Sequence, residues 1–426
     1  MKRIAIVVQR YGREVNGGAE LHARLLAQAL RPHYDIDVLT SRALDYRHWH
    51  PHFPAGEEAL DGCRVLRFDH PPRSRGRRRT MPLRHKLRFK LRRWLPLLGL
   101  AAVAQPRGDD TSDGLEYLRA QGPTMDGLIA HLERHAADYA ALIFMTARFH
   151  PAALGVLVAP TRSILVPTLH DEKTMVLPHF HRVFRAPAWI MYNTAAERVV
   201  AQQLYGDDLA PGEVCGVGIE LPAPAEASDD AAHHARWMQT AARHGIRGRY
   251  LIYVGRVDAS KGCDELFRHF ARLAEQTPEP LQLVVCGKLV MARPDHPHIV
   301  LTGFVSDAER DQLIAHAAAL VVPSRHESLS LVLLESLAQG CPVIVNRGSE
   351  VLRQHVRDSG VGATYDDYAG FAAAVAQLLA QAPAQRAEQA QHGRRYVAER
   401  YDWATIVDKY RRVIERIDGG ETHPTS

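Results

Sequence analysis

Glu327 and Glu335 stand eight positions apart in the segment Pro323-Ser-Arg-His-Glu327-Ser-Leu-Ser-Leu-Val-Leu-Leu-Glu335-Ser-Leu-Ala-Gln-Gly340-Cys-Pro-Val-Ile-Val345. Apolar runs bracket the pair, Ala319–Val322 before it and Pro342–Val345 after it. The segment therefore reads as strand, loop, helix, strand, with Glu327 in the loop and Glu335 in the helix. A helix opening near Ser328, Leu329 and Ser330 aims unpaired backbone N–H groups and a partial positive charge at the loop, which suits a phosphate. Two carboxylates beside a phosphate can divide the work, one handling a sugar ring and the other gripping a ribose. Glu335 lies among Leu333, Leu334 and Leu337, on a helix buried enough that an unpaired charge would be costly.

A second constellation is Val254-Gly255-Arg256-Val257-Asp258-Ala259-Ser260-Lys261-Gly262, at the end of another apolar run. Arg256 offers bidentate pairing and Lys261 a movable point charge, so the two can converge on a diphosphate. Gly17-Gly18-Ala19-Glu20 separates the first strand from the first helix, where glycines let the backbone approach a ligand and leave the helix end open to an anion. The spacing is not Gly-x-Gly-x-x-Gly, which argues against a dinucleotide fingerprint. Pro167-Thr168-Leu169-His170-Asp171-Glu172 is a polar cluster just past a further strand. There His170 can hydrogen-bond a sugar hydroxyl, with Asp171 beside it. Asn193, Thr194 and Glu197 repeat the arrangement after the next strand, giving acceptor-side candidates. Each feature also has a plain structural reading: a loop needing positive φ, a solvated loop with two cations, a satisfied histidine among 24, a capped helix with two surface acids.

The elements that must position these groups are legible as apolar runs alternating with helical patterns. Ile4–Val8, Ile36–Leu39, Val65–Phe68, Ala141–Phe144, Ile164–Pro167 and Ala188–Tyr192 fill the first half. Leu251–Val254, Leu281–Cys286, Ile299–Thr302, Leu320–Val322 and Val343–Asn346 fill the second. The alternation predicts α/β architecture with parallel sheets covered on both faces, and such sheets carry ligands at the carboxyl ends of their strands. A length of 426 residues predicts two domains. We place the first at 1–205, the second at 206–400, a last helix at 401–418 and a tail at 419–426, with the boundary in the Pro- and Gly-rich stretch after residue 205.

Composition narrows the function classes. Hydrophobic content of 46% and charged content of 24% describe an ordinary globular chain. Five scattered cysteines, none as Cys-x-x-Cys, predict buried thiols rather than a zinc site or disulfide framework. Arg73 to Arg93 holds eleven Lys or Arg and no acid, so the remaining chain sums to 5 − 11 = −6. One basic patch without a recognised motif does not make a nucleic-acid binder. Mixed with leucines, Phe89 and Trp94, the segment Arg73–Leu98 fits either a stretch lying on an anionic membrane or an ordinary surface insertion. The N-terminal apolar run is too short for a signal peptide, and no stretch has the length of a membrane span. The expected location is cytoplasmic, peripheral at the inner face of the plasma membrane if the basic segment binds lipid.

Together these residues resemble the GT-B-fold retaining glycosyltransferases of family 4. The resemblance spans nearly the whole chain and rests on Gly17-Gly18-Ala19-Glu20, Gly255-Arg256…Lys261-Gly262, and Glu327-x7-Glu335 followed by Gly340-x-Pro342-Val343. It implies two Rossmann-like domains facing across a cleft, with the last helix crossing back to the first. It implies a nucleotide-diphosphate sugar as donor and a saccharide or lipid-linked saccharide as acceptor, with no cofactor and no metal. By position, Arg256 and Lys261 would hold the diphosphate and Glu335 the ribose hydroxyls. Glu327 would contact the donor sugar, the N–H groups of Leu329 and Ser330 the distal phosphate, and His170 would lie near the reacting carbon. Many members have glycine where this chain has Ser328 and Ser330, so donor preference does not transfer. A sugar-nucleotide epimerase and a two-lobed sugar-binding protein remain rival readings; a nicotinamide dehydrogenase lacks its glycine spacing.

Overall fold

Runs such as Ala141-Leu-Ile-Phe-Met145 and Leu281-Gln-Leu-Val-Val-Cys286 lack polar–apolar alternation because every residue in them is buried, as strands covered on both faces require. In the structure, a computed structural model, residues 1–73, 86–87, 90–91, 111–222, 230–277 and 280–420 are described. The basic segment Arg73–Leu98 therefore lies outside the described residues except for Arg73, Lys86, Leu87, Lys90 and Leu91, as do residues 421–426. The chain divides into two units, Met1–Gly218 with Ala404–Ser426, and Ile219–Trp403.

The first unit is built on β1 (Arg3–Val7), β2 (Asp35–Ser41), β3 (Gly56–Leu60), β4 (Cys63–Phe68), β5 (Ala141–Met145), β6 (Ser163–Val166), β7 (Trp189–Tyr192) and β8 (Gly212–Val214). They form one sheet in the order β3-β4-β2-β1-β5-β6-β7-β8. All neighbours run parallel except β3 and β4. Strand order reverses at β1, which β2 and β5 flank. One core gathers Phe144 and Leu165 from the strands with Leu132, Phe180, Phe184 and Tyr205 from the helices above them. Burying each such aromatic contributes about 1.5–3 kcal/mol.

The second unit holds β9 (Arg249–Val254), β10 (Leu281–Cys286), β11 (Ile299–Gly303), β12 (Ala319–Val322), β13 (Val343–Asn346) and β14 (Ala363–Tyr365), all parallel, in the order β11-β10-β9-β12-β13-β14. Here the order reverses at β9. Leu283, Val321 and Ile344 pack with Phe267, Phe270 and Phe371. The unit closes on itself where the Ile219 N–H meets the Tyr401 carbonyl (2.7 Å).

Two parallel α/β sheets are thus present, with differences of detail. The division falls at Gly218/Ile219 rather than 205/206, because the Pro- and Gly-rich stretch supplies β8, an edge strand paired to β7. β3 carries Glu57 and Glu58 on an exposed edge and β14 has three residues, so neither has the apolar run that marks a buried strand. The last helix, Trp403–Asp418, belongs with the first unit. Lys409 Nζ donates to the Val214 and Cys215 carbonyls, Arg412 pairs with Glu213 (2.7 Å), and Arg416 lies 5.2 Å over the Trp189 ring.

Candidate active site

Arg256 and Lys261 leave β9 on a loop whose shape Asp258 sets. Its carboxylate accepts from the Ser260 hydroxyl (2.5 Å), the Lys261 N–H (3.2 Å) and the Arg256 guanidinium. Burial pushes the Asp258 carboxyl up, but the Ser260 bond, Arg256 and the Lys261 N–H together hold it below its ordinary value. The turn ends at Gly262, at φ +78°, where a side-chain carbon would sit 2.6 Å from the Pro323 carbonyl oxygen. No other residue allows that approach. Because β9 and β12 are neighbours, the Pro323–Ser330 loop emerges beside Gly262. Lys261 Nζ consequently donates to Glu327 Oε1 at 2.7 Å, across 66 positions of sequence. The pair stands at the carboxyl ends of the strands where order reverses, the place such sheets bind ligands. Gly255 donates its N–H to the Cys286 carbonyl at the same edge.

The helix that follows, Leu331–Gln339, begins immediately after Ser330. Ser330 is in the left-handed region at φ +70°, ψ +76°, although it is not glycine. Its side chain is 8% exposed and its hydroxyl has no hydrogen-bond partner. Leu329 is buried, at 4% exposure. In its first turn the Leu333 N–H donates to the Ser330 carbonyl (3.1 Å), whereas the Leu331 and Val332 N–H groups precede any acceptor within the helix. Glu335 lies in its second turn, opposite Arg310 of the Asp307–Ala315 helix at 3.7 Å. Burial raises the Glu335 carboxyl above its ordinary range, Arg310 opposes the shift, and Asp311 and Asp307 add to it. A carboxyl so placed is ready to accept from hydroxyl donors, with one cation already beside it.

On the first unit, Gly17 caps the Gly18–Leu30 helix. A side-chain carbon on Gly17 would stand 2.1 Å from Glu20 Oε2, whereas one on Gly18 meets nothing within 4 Å. The loop is held by a buried ion pair absent from our sequence reading: Arg10 bonds Glu20 (2.6 Å) and the Leu44 and Asn16 carbonyls, and Gln9 also donates to Glu20. His170 and Asp171, both half-buried, lie past β6. Thr168 before them is at φ +50°, a conformation that needs support from its surroundings. That support is Glu197, whose carboxylate accepts the N–H groups of Leu169 and Asn193 (2.5 Å each). Asn193 and Glu197 were expected on the acceptor side, but at 3% and 1% exposure they are inside the unit, fixing the loops instead. Burial pushes the Glu197 carboxyl up to about 8 against the opposing pull of those N–H donors. The triplet Asp35-Ile36-Asp37 has the spacing of a metal-binding Asp-x-Asp pair, yet Asp37 is committed to Arg64 and the Tyr139 hydroxyl.

Within the second unit the structure thus brings Lys261 to Glu327, and Arg256 to the same loop. Glu335 follows one helical stretch on. Gly17, Gly18, His170 and Asp171 share the carboxyl edge of the first sheet. Comparison with known proteins fits this geometry. Residues 241–396, which contain the β9 loop and both glutamates, match the family model "Glycosyl transferases group 1". Residues 241–396 are thus similar to group 1 glycosyl transferases, on a chain with the two parallel α/β sheets of the GT-B fold.

The chain is 25% identical to the glycogen synthase of Mycobacterium tuberculosis over 442 aligned residues, covering 99% of the chain and 96% of that protein. It is 32% identical over 240 residues to a D-inositol 3-phosphate glycosyltransferase of Salinispora arenicola, covering 51% of the chain and 52% of the relative. Its fold superposes on the sucrose-phosphate synthase of Thermosynechococcus elongatus with a TM-score of 0.67 at 16% identity, covering 99% of the chain and 100% of that structure. The Anabaena protein HepE, solved with UDP-glucose, gives 0.64 at 16% identity over 97% of the chain and 100% of that structure. No helix among the described residues is long and apolar enough to cross a membrane. Nor do they contain a group of three or more His, Cys, Asp or Glu arranged to hold a metal ion.

Proposed function

We propose that this protein is a glycosyltransferase that moves a hexosyl group from a nucleotide-diphosphate sugar to a saccharide or lipid-linked saccharide, retaining anomeric configuration as in family 4. The setting would be assembly of bacterial surface polysaccharide. The observation that carries the reading is the Lys261–Glu327 pair, 2.7 Å apart at the reversal point of the second sheet. A cation and a carboxylate held there, beside a helix mouth, match a ligand with a phosphate at one end and sugar hydroxyls at the other.

In this reading Arg256 and Lys261 bind the diphosphate and gain interaction energy as its charge grows on departure, the differential binding that lowers a barrier. The N–H groups of Leu329 and Ser330 meet the distal phosphate, with Ser328 beside them. Glu327 orients the donor sugar and Glu335 accepts the ribose hydroxyls. Gly255 keeps the backbone low at the nucleotide, and Gly17, Gly18, His170 and Asp171 are the first unit's own candidates for sugar recognition. The bond between the anomeric carbon and the phosphate oxygen breaks while the acceptor oxygen bonds to that carbon on the same face. The acceptor's proton passes to the departing phosphate oxygen, so charge and atoms balance without a cofactor. Side-chain cations and the helix end carry the role a divalent ion plays elsewhere.

A thermal-shift screen across UDP-, GDP- and ADP-linked sugars tests the proposal. One nucleotide sugar at a hundred times its Kd should add about 2.7 kcal/mol of stability, and product NMR should show the donor's anomeric configuration. Absence of any nucleotide-sugar shift, or an inverted product, would reject it.

A further inference from the structure

The strained Ser330 has a support that no part of the reading above uses. His355, in the Glu350–Ser359 helix, is 1% exposed. Its Nε2 is 2.8 Å from the Leu329 carbonyl oxygen and its Nδ1 is 2.8 Å from the Tyr396 hydroxyl. A carbonyl oxygen can only accept, so Nε2 carries the proton and Nδ1 is left to accept. The Tyr396 hydroxyl must then donate to Nδ1, and its own oxygen is free to accept from Tyr401, 3.4 Å away. Tyr396 and Tyr401 lie on the Pro383–Tyr401 helix. One relay thus runs from that helix through the imidazole to the loop. Burial pushes the imidazole down to about 4, which keeps it neutral and the relay in one sense near pH 7.

The consequence follows from peptide geometry. The Leu329–Ser330 peptide is planar, with its N–H opposite its C=O. Pinning the Leu329 carbonyl toward His355 therefore turns the Ser330 N–H away from His355, and it favours the left-handed φ that Ser330 adopts. Without the pin, a serine at +70° would relax toward negative φ, since the left-handed region costs a non-glycine residue on the order of 1 kcal/mol. We propose that His355 is a positioning residue for nucleotide-diphosphate binding, holding the Leu329–Ser330 peptide in the orientation that presents its N–H to the distal phosphate. The proposal rests on the assignment of the mouth of the Leu331–Gln339 helix as the diphosphate site. It assigns to His355 and Tyr396 what glycine at position 330 would otherwise supply through its freedom at positive φ.

The test is calorimetric affinity for UDP, GDP and ADP, taken for whichever the wild type binds most tightly, with the melting temperature of each variant. His355→Leu should weaken binding about tenfold, as loss of one buried hydrogen-bond partner to a carbonyl predicts. His355→Gln, whose amide N–H can still reach that carbonyl, should recover most of the loss, and Tyr396→Phe should fall between. A packing role alone would lower the melting temperature of His355→Leu while leaving affinity at the wild-type value, and that result overturns the proposal. If His355→Leu does not fold, equal affinities for wild type, His355→Gln and Tyr396→Phe overturn it instead. Lys261→Ala separates the two layers. Lost affinity there with none lost at His355 removes only the positioning role. Unchanged affinity in Lys261→Ala, or no diphosphate bound by the wild type, removes the site assignment and this inference with it.

Discussion

Replacing Lys261 by alanine removes an ammonium whose side chain is 35% exposed and whose partner, Glu327, is 15% exposed. The two consequences differ in size. As a stabilising contact the pair is worth about 1 kcal/mol or less, because water reaches the lysine and screens the interaction. In a domain of this size that lowers the melting temperature by roughly 2–4 °C. In the proposed role, facing a departing diphosphate, the same ammonium would act where negative charge grows. Loss of one such stabilising group costs about 10²–10³ in kcat, or 2.7–4 kcal/mol. The assay is acceptor-dependent nucleotide release under saturating donor, with the melting curve measured on the same sample. We expect kcat to fall by at least a hundredfold and KM for the donor to rise less, since the interaction strengthens toward the transition state. Lys261→Arg should recover part of the loss, because charge returns without the compact ammonium geometry. A folded Lys261→Ala protein with kcat within tenfold of wild type would refute the assignment.

Three further outcomes follow from the geometry. Gly262→Ala should destabilise by about 1–3 kcal/mol more than Gly303→Ala in urea unfolding. Both glycines have positive φ, but only the first would press a methyl group on the Pro323 carbonyl; equal losses would show that this contact does not matter. Gly18→Ala should leave the melting temperature within about 2 °C, since nothing lies within 4 Å of the new carbon, yet reduce turnover if ligand fills that space. Full activity would remove Gly18 from the site. His150 and His179 are buried in the first unit, and burial pushes both down to about 4 from 6.5. The unfolded chain therefore binds more protons between those values, so their contribution is complete above pH 6.5 and is lost as pH falls toward 4. Between pH 7 and pH 4.5 the urea midpoint of the wild type should fall relative to that of His179→Gln, in which one such titration is removed; a difference between the two that does not change with pH would contradict the burial argument.

Much of the fold was legible because strands buried on both faces must be apolar along their whole length. Ala141–Met145 and Leu281–Cys286 could hardly be anything else. Gly56–Leu60 and Gly212–Val214 escaped notice because an edge strand has little to bury, so its residues carry no such mark. Candidate site residues past strand ends, Arg256, Lys261 and Glu327, and Glu335 in the helix that follows, were readable from residue type and position. The groups that hold them were not. Arg310, Arg10 and His355 each sit on ordinary helical or loop sequence, and their partners are 10 to 26 positions away. Asn193 and Glu197 show the opposite error, polar residues at a strand end whose burial turned them from ligand contacts into supports.

The sequence by itself determined the α/β alternation and the residue types available at each strand's carboxyl end, since both depend on local pattern and on a chain that twists one way. Tertiary structure alone decided which of those residues meet. Lys261 reaches Glu327 because β9 and β12 are hydrogen-bonded neighbours and Gly262 admits the Pro323 carbonyl. The conformation of Ser330 accompanies a histidine 25 residues later in the chain. Strand order and close packing are properties of the folded whole, and no window of sequence contains them.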